Sequence, residues 1–239
     1  MGSMMRKLRE VHRGKEKQDK RLLIENIIKT NRTEDERVEQ LVEKLCSSSV
    51  TIDTKNSGGS GVIILAGKEN MLVTCRHVVE PAVRSKRRKS LKIYNGERTA
   101  HAKTIIAAPY GIDLALIELD RRIGPPAAMS FTRPKPGAGV IVIGAGMGID
   151  NTVSMGIVSK IIVEEGKRGF EYEVFQTDAV INPGNSGGGI FRSSSGELIG
   201  ITTYKLTRGK SQLAEGGFGV SAGTLSAIPK EKWKVIQLA

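Results

Sequence analysis

"GVIVIGAGMGID", residues 139–150, admits two incompatible folds. Read as a strand running into a glycine turn, Gly144, Gly146 and Gly148 imitate the start of a dinucleotide-binding unit. That unit requires G-x-G-x-x-G opening a helix, with an acidic residue about 20 positions further on. Here Ile149 stands where the third glycine belongs, and the continuation "NTVSMGIVSKIIV", 151–163, reads as strand. The dinucleotide reading fails, and the parallel βαβ sheet it would bring fails with it.

Working outward from that stretch, short β-prone runs alternate with Gly, Pro, Asn and charged residues. On the N-terminal side they are "VTID", "SGVIIL", "NMLVT", "LKIY", "RTAHAKTII" and "DLALIEL". On the C-terminal side they are "AGVIVIG", "TVSMGIVSKIIV", "YEVFQT", "GGGIF", "ELIGITTY" and "GGFGVS". The Pro-rich "DRRIGPPAAMSFTRPKPG" separates the two sets. Regularly spaced short strands with turn signals predict an all-β protein. Two sets of six predict two antiparallel β-barrels, over 47–120 and 139–239, joined by a connector over 121–138. A short helix over "SAIPKEKWKVIQL", 226–238, is expected to close the chain.

Residues 1–46 differ. Met1 to Ser3 read as a cloning remnant, and the segment after Ser3 is charged and nearly glycine-free. "DKRLLIENIIKT" gathers Leu22, Ile24, Ile27 and Ile28 on one helical side. Thr33 followed by Glu36 has a capping-box pattern, and Val38, Leu41, Val42 and Leu45 form a second apolar stripe. Two helices are expected, or one helix with a basic leader. With 37 Lys and Arg against 25 acidic residues, the formal net charge is +12. Such a charge attracts polyanions and acidic partners without specifying a fold. The run "RSKRRKSLK", 84–92, is expected to be a solvated loop, with a nucleic-acid or other polyanion patch as the alternative. No apolar run of eighteen residues exists, which excludes a spanning helix, and no secretory signal is visible at the start. Cys46 and Cys75 are expected to be reduced thiols of an intracellular protein. Nothing points to a cofactor or a metal.

"NPGNSGGG", 182–189, carries the chemistry. One reading is plain turn chemistry at Pro183–Gly184; a P-loop is excluded because no Lys follows the glycines. The other reading is a nucleophile loop. There Ser186 is presented beside backbone N–H groups, of Gly184 and Ser186 with Asn185 between them, and glycines let a reacting carbonyl approach. A serine alone is inert, so a base and an orienting acid are needed. Of three histidines, His12 lies in the leader and His101 mid-strand, whereas His77 ends an apolar strand in "MLVTCRHVVE". Asp113 precedes the apolar "LALIEL", where a half-buried carboxylate needs a partner. His, Asp, Ser is the order of chymotrypsin-type enzymes.

The segments "GGSGVIIL", "LVTCRHVV", "GIDLALIEL", "VIVIGAGMGIDNTVSMGIVS", "QTDAVINPGNSGGGIF" and "GELIGITT" resemble, in order, those of trypsin-like serine proteases of the HtrA/Deg group. The likeness spans about residues 47–230, and "QTDAVINPGNSGG" is its most specific part. The resemblance implies a chymotrypsin-like double barrel and a serine endopeptidase acting on polypeptides. It makes His77 the general base, Asp113 its orienter and Ser186 the nucleophile, with Thr203 supporting the aspartate. It places the pocket for the residue before the cut at Val180, Ile181, Ile201 and Thr203. With no acid among these, small or medium aliphatic residues are expected there. Analogy with the group also implies a trimer. Three departures stand out: Cys75 and Arg76 precede the histidine where the group usually has Asn, Gly189 replaces a proline, and no PDZ segment is expected before Ala239. The competing expectation is a binding or chaperone-like module working through its basic leader and loop.

Overall fold

The computed structural model describes residues 2–54, 58–84, 91–109, 111–203 and 217–238. Side chains of residues 2–19, 28, 31 and 32 fall outside that description. So do the basic run at 85–90 and the side chains of His12 and Ile28. The chain divides into two compact units, residues 1–41 and 42–239.

The first unit is helical. Helix α1 (Gly2–Cys46) runs without interruption, its last turn belonging to the second unit. The break expected at Thr33 does not occur. Its hydroxyl donates to the Thr30 carbonyl at 2.7 Å, and the Thr30 hydroxyl to the Asn26 carbonyl at 2.9 Å. Both threonines thus bond back into the preceding turn instead of capping a new helix. Among the described residues no helix is long and apolar enough to cross a membrane.

The second unit holds two barrels. Strands β1 (Ser49–Asp53), β2 (Gly58–Ala66), β3 (Glu69–Thr74), β4 (Lys92–Asn95), β5 (Arg98–Ala107) and β6 (Ala115–Leu119) pair antiparallel in the order β5-β4-β1-β2-β3-β6. The sheet then closes by pairing β5 with β6. Strands β7 (Gly139–Gly144), β8 (Thr152–Glu165), β9 (Glu171–Thr177), β10 (Gly189–Arg192), β11 (Leu198–Thr202) and β12 (Gly217–Ser221) form the second closed barrel. Helix α2 (Arg76–Arg84) follows β3 directly. The ambiguous stretch at 139–150 is strand β7, a 3-10 turn over Gly146–Gly148, and a return into β8 with Val140 opposite Gly156. That is an antiparallel hairpin, as the all-β reading requires.

Aromatic residues are scarce, so aliphatic side chains fill both interiors. Ile52, Val62, Leu72, Ile93, Ile105 and Ile117 are fully buried in the first barrel. Val140, Val142, Val158, Phe175, Ile190 and Ile199 pack together in the second. Full burial of such a side chain contributes about 1.5–3 kcal/mol. The C-terminal segment differs from expectation. Helix α3 (Ala222–Ala227) comes earlier than 226–238, capped by the Ser221 hydroxyl, which accepts from the Gly223 N–H. Pro229 then stands in extended backbone, and β13 (Lys234–Gln237) pairs antiparallel with β5, Val235 opposite Ile106. A seventh strand thus lies on the first barrel where a helix had been expected.

The barrels meet where β1 and β2 lie against β7. Thr51 donates across this seam to Asp150. The carbonyl end of β3, the start of α2 and the turn before β10 all open at the same seam, and every candidate catalytic residue comes from these places or from the strand ends beside them.

Candidate active site

His77 is the second residue of α2, so the end of one barrel strand and a helical turn fix its backbone. Its Nδ1 lies 2.7 Å from Asp113 Oδ2, and its backbone N–H donates to Asp113 Oδ1 at 3.0 Å. Two contacts to one carboxylate set both the position and the ring orientation of the imidazole. Because the carboxylate accepts, Nδ1 carries the hydrogen and Nε2 keeps its lone pair. Asp113 also accepts from the Thr203 hydroxyl at 2.7 Å.

These contacts shift the titrations. The hydrogen bond that His77 donates to Asp113 raises the imidazole pKa above 6.5, against a smaller downward push from burial. Burial drives Asp113 upward, but the bonds and charge of His77 together with Thr203 outweigh it and hold the carboxyl below its usual range. The Arg76 guanidinium, adjacent in sequence, reaches the Ala108 carbonyl at 3.5 Å.

Ser186 sits in the turn before β10. Its hydroxyl donates to the Thr203 carbonyl at 3.2 Å. Thr203 therefore touches both sides of the site, its hydroxyl on Asp113 and its carbonyl on Ser186. A hydrogen bond between Ser186 and His77 is absent among the described residues.

Two carbonyls orient the turn's amides. Pro183 O accepts from Met147 N–H at 2.7 Å. The Asn185 carbonyl accepts from Gly188 N–H at 2.8 Å and from the Thr202 hydroxyl. In a planar trans peptide the N–H points opposite to its carbonyl. The N–H groups of Gly184 and Ser186 are thus aimed away from those anchors, and neither has a partner among the described residues. The Asn185 N–H, expected beside them, is already donated to the Asn182 carbonyl at 3.0 Å and is not available. Glycine is required here by contact and by backbone. Gly184 has φ +98° and Gly187 φ +86°. A Cβ on Gly187 would lie 2.2 Å from both the Ser60 carbonyl and the Thr74 hydroxyl. At Gly189, where the group has a proline, the buried Phe191 ring fills the space, 2.4 Å from where a Cβ would stand.

The expected pocket residues differ in burial. Val180 is 58% exposed, whereas Ile181 packs in the second barrel's core with Phe175 and Ile190. Ile201 and Thr203 are buried, Thr203 being engaged with Asp113.

Two contributors, Ser60 and Met147, were not singled out from sequence, and a third, Cys75, stood out there only as a thiol and as a departure from the group's pattern. Ser60 on β2, fully buried, accepts from Ala145 N–H at 2.7 Å and donates to the Gly184 carbonyl at 2.7 Å. Its own N–H donates to the Ser186 carbonyl at 2.8 Å. This residue of the first barrel thus ties down the turn of the second. Met147, at φ +58°, supplies the N–H that holds Pro183. Cys75 is buried beneath the pair, and burial, then the Asp113 charge, pushes its thiol up. The serine in "GGSG" ahead of an apolar strand was the available signal for Ser60; the other two depend on tertiary placement alone. Cys46 and Cys75 are free thiols.

Two closed six-stranded barrels with a His–Asp pair and a glycine-flanked serine at their seam define the chymotrypsin-like class. The family model for trypsin-like peptidase domains matches residues 59–201. The chain belongs to that family, and its relatives are HtrA-type serine proteases. Serine protease HTRA1B of Danio rerio is 33% identical over 189 residues, covering 73% of this chain and 38% of the relative. Serine protease PepD of Mycobacterium tuberculosis is 31% identical over 216 residues, covering 83% and 45% respectively. The chain therefore spans less than half the length of these relatives. A mutant, inactive form of Rv3671c from M. tuberculosis H37Rv shares the fold with a TM-score of 0.66 at 21% identity, over 80% of this chain and 89% of that one.

Proposed function

We propose that this chain is a serine endopeptidase that hydrolyses polypeptides through an acyl-enzyme, with His77 as general base, Asp113 as its orienter and Ser186 as nucleophile. The observation that carries the reading is the doubly bonded His77–Asp113 pair, joined through Thr203 to the hydroxyl of Ser186. In this reaction the Ser186 hydroxyl turns from the Thr203 carbonyl toward His77 Nε2, loses its proton there and attacks the scissile carbonyl. The N–H groups of Gly184 and Ser186 receive the developing oxyanion. His77 then gives its proton to the leaving amine, and Asp113 steadies the imidazolium meanwhile. Catalytic serine–histidine hydrogen bonds tighten when substrate is bound, which is when Ser186 Oγ exchanges the Thr203 carbonyl for Nε2.

The residue before the cut is small or medium aliphatic. Supporting this, Val180 exposes an apolar side chain six residues ahead of Ser186, and the acid nearest in sequence, Asp178, is engaged by the Ile157 N–H at 2.6 Å. A peptide-library profile dominated by Lys and Arg at that position would refute the preference. Substitution Ser186→Ala is expected to lower turnover by about 10⁶. Near-normal peptide hydrolysis by that variant would remove Ser186 from the mechanism.

A further inference from the structure

Beneath the His77–Asp113 pair lies a group that acyl transfer does not use. Cys75 ends the segment that follows β3, two residues before His77, and its fully buried thiol donates to the Thr202 carbonyl at 3.0 Å. Its Sγ, a ring nitrogen of His77 and a carboxylate oxygen of Asp113 all lie within 4.8 Å of one another. A thiol, an imidazole and a carboxylate so close together are the donor set of a tetrahedral zinc-type site with one position left open.

We propose that Cys75 Sγ, His77 Nδ1 and the Asp113 carboxylate bind a thiophilic divalent cation, Zn²⁺ or Cd²⁺, and that its binding disables the base. Bond lengths of about 2.3 Å to sulfur and about 2.0–2.2 Å to nitrogen and oxygen place tetrahedral ligand atoms roughly 3.3–3.7 Å apart. The 2.7 Å contact between Nδ1 and Asp113 must then open by about 0.6 Å. Sulfur must close in by about 1 Å at most. Side-chain rotation supplies both, since the His77 side chain is 49% exposed. The protons balance. The thiol proton leaves to solvent as the thiolate binds, and the hydrogen on Nδ1 is displaced while the ring stays neutral as its Nε2–H tautomer. A hydrogen then occupies the lone-pair position that would take the Ser186 proton. This consequence rests on His77 being the base; the cation site itself does not. Mg²⁺ and Ca²⁺, which demand oxygen ligands, have no comparable hold on a thiol.

The test titrates the full chain with CdCl₂, then ZnCl₂, with MgCl₂ as control. It follows the ultraviolet thiolate-to-cadmium absorption and the rate of labelling by a fluorophosphonate probe. The band is expected in the wild type and in Cys46→Ser, and is expected to be lost in Cys75→Ser. His77→Ala, which alters a half-exposed side chain and is expected to fold, should weaken cadmium binding by more than the roughly 10–100-fold typical of losing an outer-shell partner. Cadmium and zinc, but not magnesium, should slow labelling of the wild type and not of Cys75→Ser. A band that persists in Cys75→Ser, vanishes in Cys46→Ser or never forms overturns the site. Equal slowing of the wild type and Cys75→Ser overturns it too, by placing the cation on the imidazole alone. Should Cys75→Ser not fold, unchanged cadmium affinity in His77→Ala overturns it by itself. The absorption needs no catalysis, so a chain that never takes the probe would sink the peptidase reading and still report on the cation.

Discussion

The His77 imidazole is useful as a base only when Nε2 is free, and Asp113 makes that harder to maintain in acid. By raising the pKa above 6.5, the pair extends the protonated, inactive form upward in pH. Activity, measured as kcat/KM, should therefore fall on the acid side with a midpoint above 6.5. Asp113→Asn removes the largest upward contribution, so the midpoint should drop as the rate falls by about 10⁴. A midpoint that stays put in this variant would mean that another group titrates. Two of the residues behind this behaviour were legible: a histidine just past an apolar strand, which the structure puts in the first turn of α2 rather than at the strand's end, and an aspartate just ahead of another strand. That Thr203 would join them was implied only by family resemblance. The availability of Gly184 and Ser186, but not Asn185, was invisible, because it depends on which carbonyls the turn's own neighbours engage.

At the scale of elements, β2 and the turn before β10 hold each other. Ser60→Ala would leave the buried Ala145 N–H and the half-buried Gly184 carbonyl without these partners, at a cost of about 1–3 kcal/mol each. Urea denaturation should show a loss of about 2–6 kcal/mol for the two together, with slower fluorophosphonate labelling; full stability would show that the seam tolerates the gap. Gly187→Ala is the harsher change. It forces a side chain into a left-handed backbone and onto two polar atoms 2.2 Å away. We expect it to yield little folded protein, as judged by near-ultraviolet circular dichroism. Twelve strands were readable because period-2 alternation and turn residues are local signals. Strand β13 was not: "KVIQ" follows "PKEKW", whose charges read as helix, and only pairing with distant β5 makes it a strand. The continuity of α1 was missed for a related reason. Thr33 and Glu36 satisfy a capping pattern, yet the Thr33 hydroxyl bonds to Thr30 instead.

For the unit spanning 42–239, the same ion pair that tunes catalysis contributes to stability within a defined pH window. A raised histidine pKa stabilises fully below the ordinary 6.5 and ceases to do so as pH rises through the raised value. A lowered aspartate pKa stabilises above 3.8 and is lost as pH falls through the lowered value. The melting-temperature gap between wild type and His77→Ala should therefore be widest between pH 3.8 and 6.5 and narrow above. A gap that widens toward alkaline pH would show that the pair acts otherwise. Both barrels contribute to the seam, the first through His77, Asp113 and Ser60, the second through Ser186 and Thr203. A single covalent mark therefore tests the whole arrangement. The measurement is reaction of the intact chain with a fluorophosphonate probe, followed by peptide mass spectrometry to locate the adduct. One adduct is expected, on Ser186, and it should be lost in His77→Ala. An unmodified Ser186, or an adduct that forms equally well without the imidazole, would contradict it.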